Sequence, residues 1–138
     1  MKVTLRKVEH PDPDFYYRQQ FQVYHEPYLI WERKTWAATL MSCDVYCVEV
    51  NGRYAGDVML EERGKGRKYL ADFSILPEFQ GRGVGRSILE SLKKNGSSLT
   101  AFTRKETLRF YLKCGFTVRR TTANYFSPGV DRYYVSTP

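Results

Sequence analysis

The feature that most constrains this chain is a run of alternate glycines over Gly81–Gly85, which lies between two predicted secondary-structure elements. A strand is predicted over Tyr69–Leu76, where a proline stops it, and an amphipathic helix is predicted over Val84–Lys94. Glycine lets several backbone N–H groups turn toward one point, and the start of a helix favours negative charge. The segment therefore predicts a cradle for a pyrophosphate, to which Arg82 and Arg86 can add positive charge. An ordinary glycine-rich turn is the alternative.

Two other phosphate-binding motifs do not fit this segment. A P-loop needs a glycine, four further residues and then Gly-Lys-Ser/Thr, and no lysine follows the glycines here. The dinucleotide fingerprint Gly-x-Gly-x-x-Gly follows the first strand of a βαβ unit, whereas Gly81, Gly83 and Gly85 follow a predicted antiparallel hairpin. Neither of these two nucleotide-binding folds is therefore indicated.

The rest of the chain predicts a mixed α/β fold. Residues 3–8 alternate as a first strand, and apolar residues at helical spacing over 17–31 predict two short helices that meet near Pro27. Asn51-Gly52 predicts a hairpin. The full order is β-α-α-β-β-β-α-β-α-β-β, a mixed sheet with helices on both faces, in a single domain over residues 1–138. The remaining predicted elements are strands over 44–50, 54–60, 99–103, 116–120 and 131–135, and a helix over 105–114.

Composition limits the class of protein. Hydrophobic residues make up 42% of the chain, which is enough for a packed core, and no apolar run is long enough to span a membrane. Three cysteines and two histidines predict neither a disulfide framework nor a zinc site, so we expect a cytoplasmic protein without a metal. The net charge of +7 favours an anionic ligand or partner, although a generally basic, solvated surface explains it equally well. We expect a monomer or a homodimer.

Two motifs resemble signatures of the GNAT N-acetyltransferase superfamily. Residues 80–85, Gln-Gly-Arg-Gly-Val-Gly, resemble the family's Gln/Arg-x-x-Gly-x-Gly/Ala, which holds the pyrophosphate of acetyl-coenzyme A (acetyl-CoA). Arg109–Phe116 resembles the family's Phe-Tyr-x-x-x-Gly-Phe and follows at the expected distance. The predicted order of elements is also that of the family. The resemblance therefore covers nearly the whole chain and implies the GNAT-like acyl-CoA N-acyltransferase fold.

The resemblance also implies acetyl-CoA as a co-substrate. The pantetheine arm would pair with the strand before the glycines, and the glycine segment would hold the phosphates. Arg104 stands where the family commonly has an asparagine, and it can meet a phosphate or the acceptor or remain solvated. The implied cofactor-binding residues are Phe73, Ser74, Ile75, Gln80, Gly81, Arg82, Gly83, Val84, Gly85, Arg86 and Arg104.

Tyr111 matches the family's tyrosine, which implies a general acid for the departing thiolate. A phenol with a pKa of about 10 stays protonated, and a thiolate with a pKa of about 8.5 can accept its proton. A core aromatic residue is the alternative. The base is open, because related enzymes often have a glutamate on the strand where this chain has Tyr69 or Ala71. Asp72, which strand alternation points to the opposite face, and Glu61 are candidates. A base acting through water, or no dedicated base, also remains open.

Aromatic residues predict an acceptor pocket between the two-helix segment and the final loop, where rings could hold an amine by cation–π contacts. Stripes of this kind are also typical of a core. The candidate walls are Tyr24, Tyr28 and Trp31 on one side and Asn124, Tyr125 and Phe126 on the other.

Three functions follow from these observations. The first is an N-acetyltransferase that moves an acetyl group directly from acetyl-CoA to a primary amine of a small molecule or protein. The second is a toxin-like enzyme that acetylates aminoacyl-tRNA, so a nucleic-acid partner is possible, although it is not favoured. The third is a catalytically inert CoA-binding module that has lost its base.

Overall fold

A computed structural model describes all residues of the chain, 1–138, and it has the predicted order of helices and strands. The seven strands form one mixed sheet in the order β1-β2-β3-β4-β5-β7-β6. β4 and β5 pair in parallel, whereas β1–β2, β2–β3, β5–β7 and β6–β7 are antiparallel. The elements are β1 (Val3–Lys7), α1 (Pro13–Val23), α2 (Arg33–Ser42), β2 (Asp44–Val50), β3 (Arg53–Glu62), β4 (Arg67–Ile75), α3 (Val84–Lys94), β5 (Ser98–Thr103), α4 (Lys105–Lys113), β6 (Thr117–Ser127) and β7 (Val130–Ser136).

The turn between β2 and β3 confirms the predicted hairpin. Asn51 and Gly52 have φ angles of 50° and 81°, which is the pair of left-handed conformations that a two-residue hairpin turn needs. The Asn51 side chain accepts a hydrogen bond from the Lys2 N–H at 2.8 Å, so the turn is also tied to the start of β1.

The prediction for the second helix was wrong in its position. A single 3₁₀ turn, Pro27–Leu29, occupies the predicted place, and α2 begins only at Arg33. The buried Gln20 side chain explains the difference, because it accepts from the Trp31 N–H at 2.9 Å and donates to the Trp31 carbonyl at 2.8 Å. These two bonds satisfy the backbone of Trp31 outside a helix. The apolar spacing therefore continues to residue 31, although α1 ends at Val23.

β6 is longer than predicted and continues to Ser127. It carries two register shifts against β7, and Asn124 within it has a φ of 57°. The sequence interval after residue 120, with its asparagine, proline and glycine, is typical of a loop. The structure instead has an irregular strand there.

The chain comprises two compact units. Unit 1 contains residues 1–61 and 71–88, and unit 2 contains residues 62–70 and 89–138. The prediction of one domain over residues 1–138 stays a prediction. No helix is both long and apolar enough to cross a membrane. A central cluster of unit 1 consists of Tyr16, Trp36, Leu40, Val45 and Met59.

Candidate active site

The glycine segment forms an exposed loop that leads into α3. Gly81 and Gly83 have φ angles of 74° and 79°, which residues other than glycine rarely adopt. A Cβ built at either position would meet no heavy atom within 4 Å, so the space beside the loop is open. Val84 begins α3, and the Ser87 N–H donates to the Gly83 carbonyl at 3.0 Å. The N–H groups of a first helical turn lack helical acceptors, so this end of α3 favours an anion.

A 3₁₀ turn, Pro77–Phe79, anchors the loop from the preceding side. The Phe79 ring is buried, and the Arg82 guanidinium lies over it at 5.9 Å from the ring centre. Gln80 Nε2 donates to the Ile75 carbonyl at 2.8 Å. The side chain of Gln80 therefore fixes the path of the loop, and its assignment to the cofactor stays a prediction.

β4 enters this loop after passing very close to β3 at Gly56. A Cβ on Gly56 would lie 2.1 Å from the Ser74 carbonyl oxygen, so a side chain does not fit here. The Leu76 N–H donates to the Ala55 carbonyl at 2.8 Å. Burial alternates along β4, with Asp72 and Ser74 buried and the residues between them partly exposed. The alternation confirms that Asp72 faces away from its immediate neighbours.

Two carboxylates are buried where α1, β3 and β4 meet in unit 1. The Tyr24 hydroxyl donates to Asp72 Oδ1 at 2.9 Å. Gln19 Nε2 donates to Asp57 Oδ2, and the Tyr54 hydroxyl lies 2.5 Å from the same oxygen. Asp57 Oδ1 is buried and has no hydrogen-bond partner. Asp57 is 1% exposed and Asp72 9%, and no cationic side chain donates to either of them.

Burial raises the pKa of both carboxyl groups. The pKa of Asp57 rises to about 6, although hydrogen bonds from Tyr54 and Gln19 oppose the increase. The pKa of Asp72 rises to about 7, where the hydrogen bond from Tyr24 opposes the increase and the negative charge of Asp57 adds to it. A carboxylate with a pKa near 7 is a stronger base than an exposed aspartate. Asp72 can therefore accept a proton at neutral pH.

The second predicted motif forms the end of α4 in unit 2. Gly115 has a φ of 91°, and its N–H donates to the Leu112 carbonyl at 3.2 Å. The Phe116 N–H reaches back to the Tyr111 carbonyl at 3.0 Å, which completes a Schellman motif. The Phe116 ring consequently packs edge-on against Tyr111, at 5.1 Å between ring centres. The glycine and phenylalanine of this motif therefore hold the buried Tyr111 side chain in place.

A sequence model of the acetyltransferase (GNAT) domain matches residues 42–118, more than half of the chain. The matched region contains the glycine loop, the buried carboxylates of β3 and β4, and the α4 motif. The chain belongs to the GNAT acetyltransferase family. This confirms the family and the fold that the two motifs indicated, and acetyl-CoA is the acetyl donor of that family.

Solved structures of GNAT proteins have the same fold. The ribosomal-protein-S18-alanine N-acetyltransferase of Escherichia coli superposes with a TM-score of 0.77 at 20% identity, covering 99% of this chain and 94% of that one. A Bacillus subtilis acetyltransferase in complex with CoA gives 0.75 at 16% identity, covering 99% and 98%. Arabidopsis thaliana Naa50, bound to the bisubstrate analogue CoA-Ac-MVNAL, gives 0.71 at 21% identity, covering 100% and 99%. No curated protein matches the sequence significantly.

The other predicted site residues are distributed over both units of this GNAT chain. The strand residues 73–75 and the loop 80–86 belong to unit 1, whereas Tyr111 and Arg104 belong to unit 2. Arg104 donates to Glu106 at 2.6 Å, so its guanidinium already has a carboxylate partner within unit 2. Glu61 lies near the end of β3 and is partly exposed. These assignments to the cofactor and to the base stay predictions.

The predicted acceptor residues differ in their surroundings. Tyr24 bonds to Asp72, and Tyr28 lies partly buried in the 3₁₀ turn after α1. Trp31 is partly buried and packs against the core cluster of unit 1, 4.6 Å from the Trp36 ring, and its role at an acceptor stays a prediction. The residues of the final segment lie on β6, where Tyr125 is 50% exposed. The expectation that residues 124–126 form a loop was therefore wrong, and an irregular strand presents Tyr125 instead.

Sequence reasoning missed Asp57 and its partners Gln19 and Tyr54. A signal was available, because Asp57 is the one charged residue in the stretch Ala55–Leu60, all of which is buried. A carboxylate within a fully buried strand segment needs hydrogen-bond donors, which indicates a polar network.

Proposed function

We propose that the chain is an N-acetyltransferase that moves an acetyl group from acetyl-CoA to a primary amine of a small molecule or protein, by direct transfer in a ternary complex. The observation that carries this proposal is the glycine loop before α3. Gly81 and Gly83 hold left-handed conformations beside open space, as a backbone cradle for a pyrophosphate requires. Several hydrogen bonds to a charged group, each worth about 1.5–3 kcal/mol, would anchor it.

The chain would hold acetyl-CoA by its backbone more than by its side chains. Within unit 2, parallel pairing with β5 involves only the first part of β4, from Arg67↔Ser98 to Tyr69↔Thr100. Residues 73–75 lie beyond this ladder, and their backbone groups would pair with the pantetheine arm as a further strand would. An N–H of this segment would polarise the thioester carbonyl. Arg82 and Arg86 would add positive charge beside the phosphates.

Tyr111 would act as the general acid. The amine nitrogen would attack the thioester carbonyl, the C–S bond would break, and the departing thiolate would take the phenolic proton of Tyr111. The proton that the attacking nitrogen loses as it becomes the amide would restore the phenol. The buried position of Tyr111 supports this role, because the Schellman motif and the Phe116 ring restrict the direction of its side chain.

Asp72 would act as the proton acceptor, through Tyr24. The Tyr24 hydroxyl already donates to Asp72, so it can take a proton from the acceptor's ammonium group as its own proton passes to the carboxylate. The pKa of about 7 favours this transfer over one to an exposed aspartate. A buried aspartate that accepts a hydrogen bond from Tyr24 also argues against the alternative of a catalytically inert CoA-binding module.

Thermal-shift and thiol-release measurements test the proposal. We expect acetyl-CoA to raise the Tm more than ADP does at the same concentration, and free thiol to appear only when an amine is present. Mass spectrometry should find one acetyl group on the amine. Thermal protection by acetyl-CoA, with no free thiol in the presence of any amine, would indicate a CoA-binding module. No thermal protection by acetyl-CoA would refute the proposal. Acetylation confined to aminoacyl-tRNA would identify the second alternative. The cytoplasmic location and the monomeric or dimeric state stay predictions.

A further inference from the structure

Three aromatic rings form a row across one face of the sheet in unit 2. They belong to Tyr69 of β4, Phe102 of β5 and Tyr134 of β7, which are neighbouring strands. The ring centres of Tyr69 and Phe102 are 5.9 Å apart, and those of Phe102 and Tyr134 are 4.9 Å apart. Phe102 lies opposite Tyr134 and two residues beyond Thr100, the partner of Tyr69. Residues in these positions point to the same face of a sheet, which explains the row.

This face is the more open one in unit 2. Among the residues that point the opposite way, Leu99, Ala101 and Val135 are at most 1% exposed. Phe102 and Tyr134 are only partly buried. The row of rings is therefore partly accessible to solvent.

Arginines lie over both ends of the row. The Arg63 guanidinium is 4.6 Å from the centre of the Tyr69 ring, and the Arg120 guanidinium is 5.3 Å from the centre of the Tyr134 ring. Both arginines are exposed. A cation–π contact orients a guanidinium without neutralising its charge, so both ends of the row remain positively charged.

A bulge in β6 brings a further arginine to this face. Neighbouring residues of a regular strand point to opposite faces, but the register shifts between Val118 and Arg120, so Arg119 is an extra residue. Arg119 Nε donates to Ser136 Oγ at 2.7 Å, and Arg120 lies over Tyr134. Ser136 and Tyr134 are two residues apart on β7 and share a face. The bulge therefore places two consecutive, exposed arginines side by side.

A fourth ring and a fourth arginine extend this surface. The Arg132 guanidinium lies between Phe102 and Tyr125, 3.9 Å and 3.6 Å from their ring centres. Tyr125 is 50% exposed, so half of its surface faces solvent beside the row. The carboxylate of Asp131 accepts a hydrogen bond from the Asn124 N–H at 2.9 Å. We call the surface formed by these four rings and their neighbouring arginines the arginine face, and its arginines are Arg63, Arg119, Arg120 and Arg132.

The arginine face is positively charged, and so is the unit that contains it. None of its residues is acidic. Unit 2 contains thirteen Lys and Arg residues and four Asp and Glu residues, a net charge of +9, whereas unit 1 contains nine and eleven. The positive charge of the chain therefore arises within unit 2. This uneven division favours a basic binding surface over a generally basic, solvated one, and a polyanion at the arginine face meets a favourable field.

We propose that the arginine face binds single-stranded nucleic acid through its phosphate backbone. The exposed guanidiniums of Arg63, Arg119 and Arg120 contact phosphates, while the exposed part of Tyr125 stacks with a base. Bases also stack on the planes of arginine guanidiniums, which the arginine face presents over its rings. The surface lies within unit 2, and the inference does not depend on the proposed acetyl transfer.

Two other polyanions fit the arginine face less well. The carboxylates of an acidic protein segment would use its charge and leave its rings without a stacking partner. A duplex would do the same, because its bases are already stacked and paired inside the helix. Unpaired bases beside a phosphate backbone use the charge and the rings together.

Fluorescence anisotropy with labelled oligo(U) of about twelve nucleotides tests this inference, without acetyl-CoA in the sample. Three phosphate contacts on a single strand predict a slope of about −2 for log K against log salt. Binding should therefore be roughly 20-fold weaker at about 200 mM salt than at about 50 mM. Oligo(dT) should bind about as well, because phosphates and base stacking occur in both polymers.

Paired variants separate the arginine face from the general charge of unit 2. Arg119→Gln combined with Arg120→Gln should reduce the slope to about −0.7, whereas Arg119→Lys combined with Arg120→Lys should keep it near −2. The matched control is Lys105→Gln combined with Lys113→Gln, which removes the same charge from exposed positions of α4 and should leave the slope unchanged. Tyr125→Ala should weaken binding about 5- to 100-fold at fixed salt without changing the slope, since it removes stacking and no charge.

Several results would overturn the inference. These are the absence of oligo(U) binding at about 50 mM salt, tighter binding of a duplex of equal length, and tighter binding of poly-glutamate, which would indicate an acidic protein partner. Equal losses in the control pair and in the Arg119→Gln, Arg120→Gln pair would show that the charge of the whole unit binds the oligonucleotide. Failure of the proposed function is a separate result, because it is measured as the absence of thermal protection by acetyl-CoA.

Discussion

Replacing Asp72 with asparagine should make the protein more stable and less active at the same time. The substitution keeps an oxygen that can accept from the Tyr24 hydroxyl and removes the ionisable group from a site with 9% exposure. The two effects have different physical origins, namely desolvation of a charge and loss of a proton acceptor.

The size of the stability effect follows from the pKa. Burial raises the pKa of Asp72 from 3.8 to about 7, so the folded state binds this proton more tightly than the unfolded state does. Proton binding to Asp72 therefore contributes to the free energy of unfolding in acid, and this contribution is lost as the pH rises from about 4 through about 7. At about 1.36 kcal/mol per pH unit, the raised pKa lowers the free energy of unfolding by about 4 kcal/mol at pH 8 and by about 2 kcal/mol at pH 5, relative to acid conditions in which Asp72 is protonated in both states. The stability advantage of Asp72→Asn over the wild type should therefore grow by about 2–3 kcal/mol between these two pH values.

Urea unfolding of both proteins at pH 5 and pH 8 measures this difference. Asp44→Asn is the control, because Asp44 is exposed and its ion pair with Lys7 lies at the surface. Its stability should follow that of the wild type to within about 1 kcal/mol. If the advantage of Asp72→Asn does not grow with pH, Asp72 is not the buried, desolvated carboxylate described above.

Activity should change in the opposite direction. Asp72→Asn should lower kcat/KM by about 10²- to 10⁴-fold. The wild-type rate should rise with pH through about 7 as Asp72 ionises, and the variant should lose that limb of the profile. Asp57→Asn should move the limb to lower pH, because the charge of Asp57 raises the pKa of Asp72. A variant that keeps both the rate and the limb would remove Asp72 from the mechanism.

Three further predictions concern other parts of the protein. Tyr111→Phe should lower turnover by about 10²- to 10⁴-fold while the Kd for CoA stays within about twofold. The control Tyr46→Phe should change neither quantity. Equal turnover in both variants would show that Tyr111 is a core residue. Gly83→Ala should weaken CoA binding in calorimetry. Gly64 also has a positive φ and open space around it, so Gly64→Ala should lower the stability by a similar amount and leave CoA binding intact. Equal CoA binding in the two variants would contradict the proposed pyrophosphate cradle. Gly56→Ala should destabilise the fold by more than about 2 kcal/mol in urea unfolding, because its Cβ meets the Ser74 carbonyl, and an unchanged midpoint would contradict that close approach.

Local chemistry explains which parts of the site could be predicted from the sequence. The glycine loop and the end of α4 each lie within a few consecutive residues, and both depend on glycine in left-handed conformations. Such conformations are local properties of the backbone, so the residue type indicates them directly. The element order followed in the same way, from the spacing of apolar residues and from turns such as Asn51-Gly52.

The position of α2 could not be predicted in this way. Gln20 and Trp31 are 11 residues apart, and their side chain-to-backbone bonds decide where the chain stops being helical. Hydrophobic spacing does not distinguish a helix face from a core-facing connection, because both place rings at similar intervals.

The sequence by itself determined the family, the order of elements and the left-handed glycine loop before α3, since each is encoded by neighbouring residues. Only the tertiary structure decided the electrostatics of the site. Tyr24 and Asp72 are 48 residues apart, and Arg132 meets Phe102 across two strands. The pKa of a carboxylate and the partner of a guanidinium depend on what the fold removes from water and places beside them, and that depends on packing between distant segments of the chain.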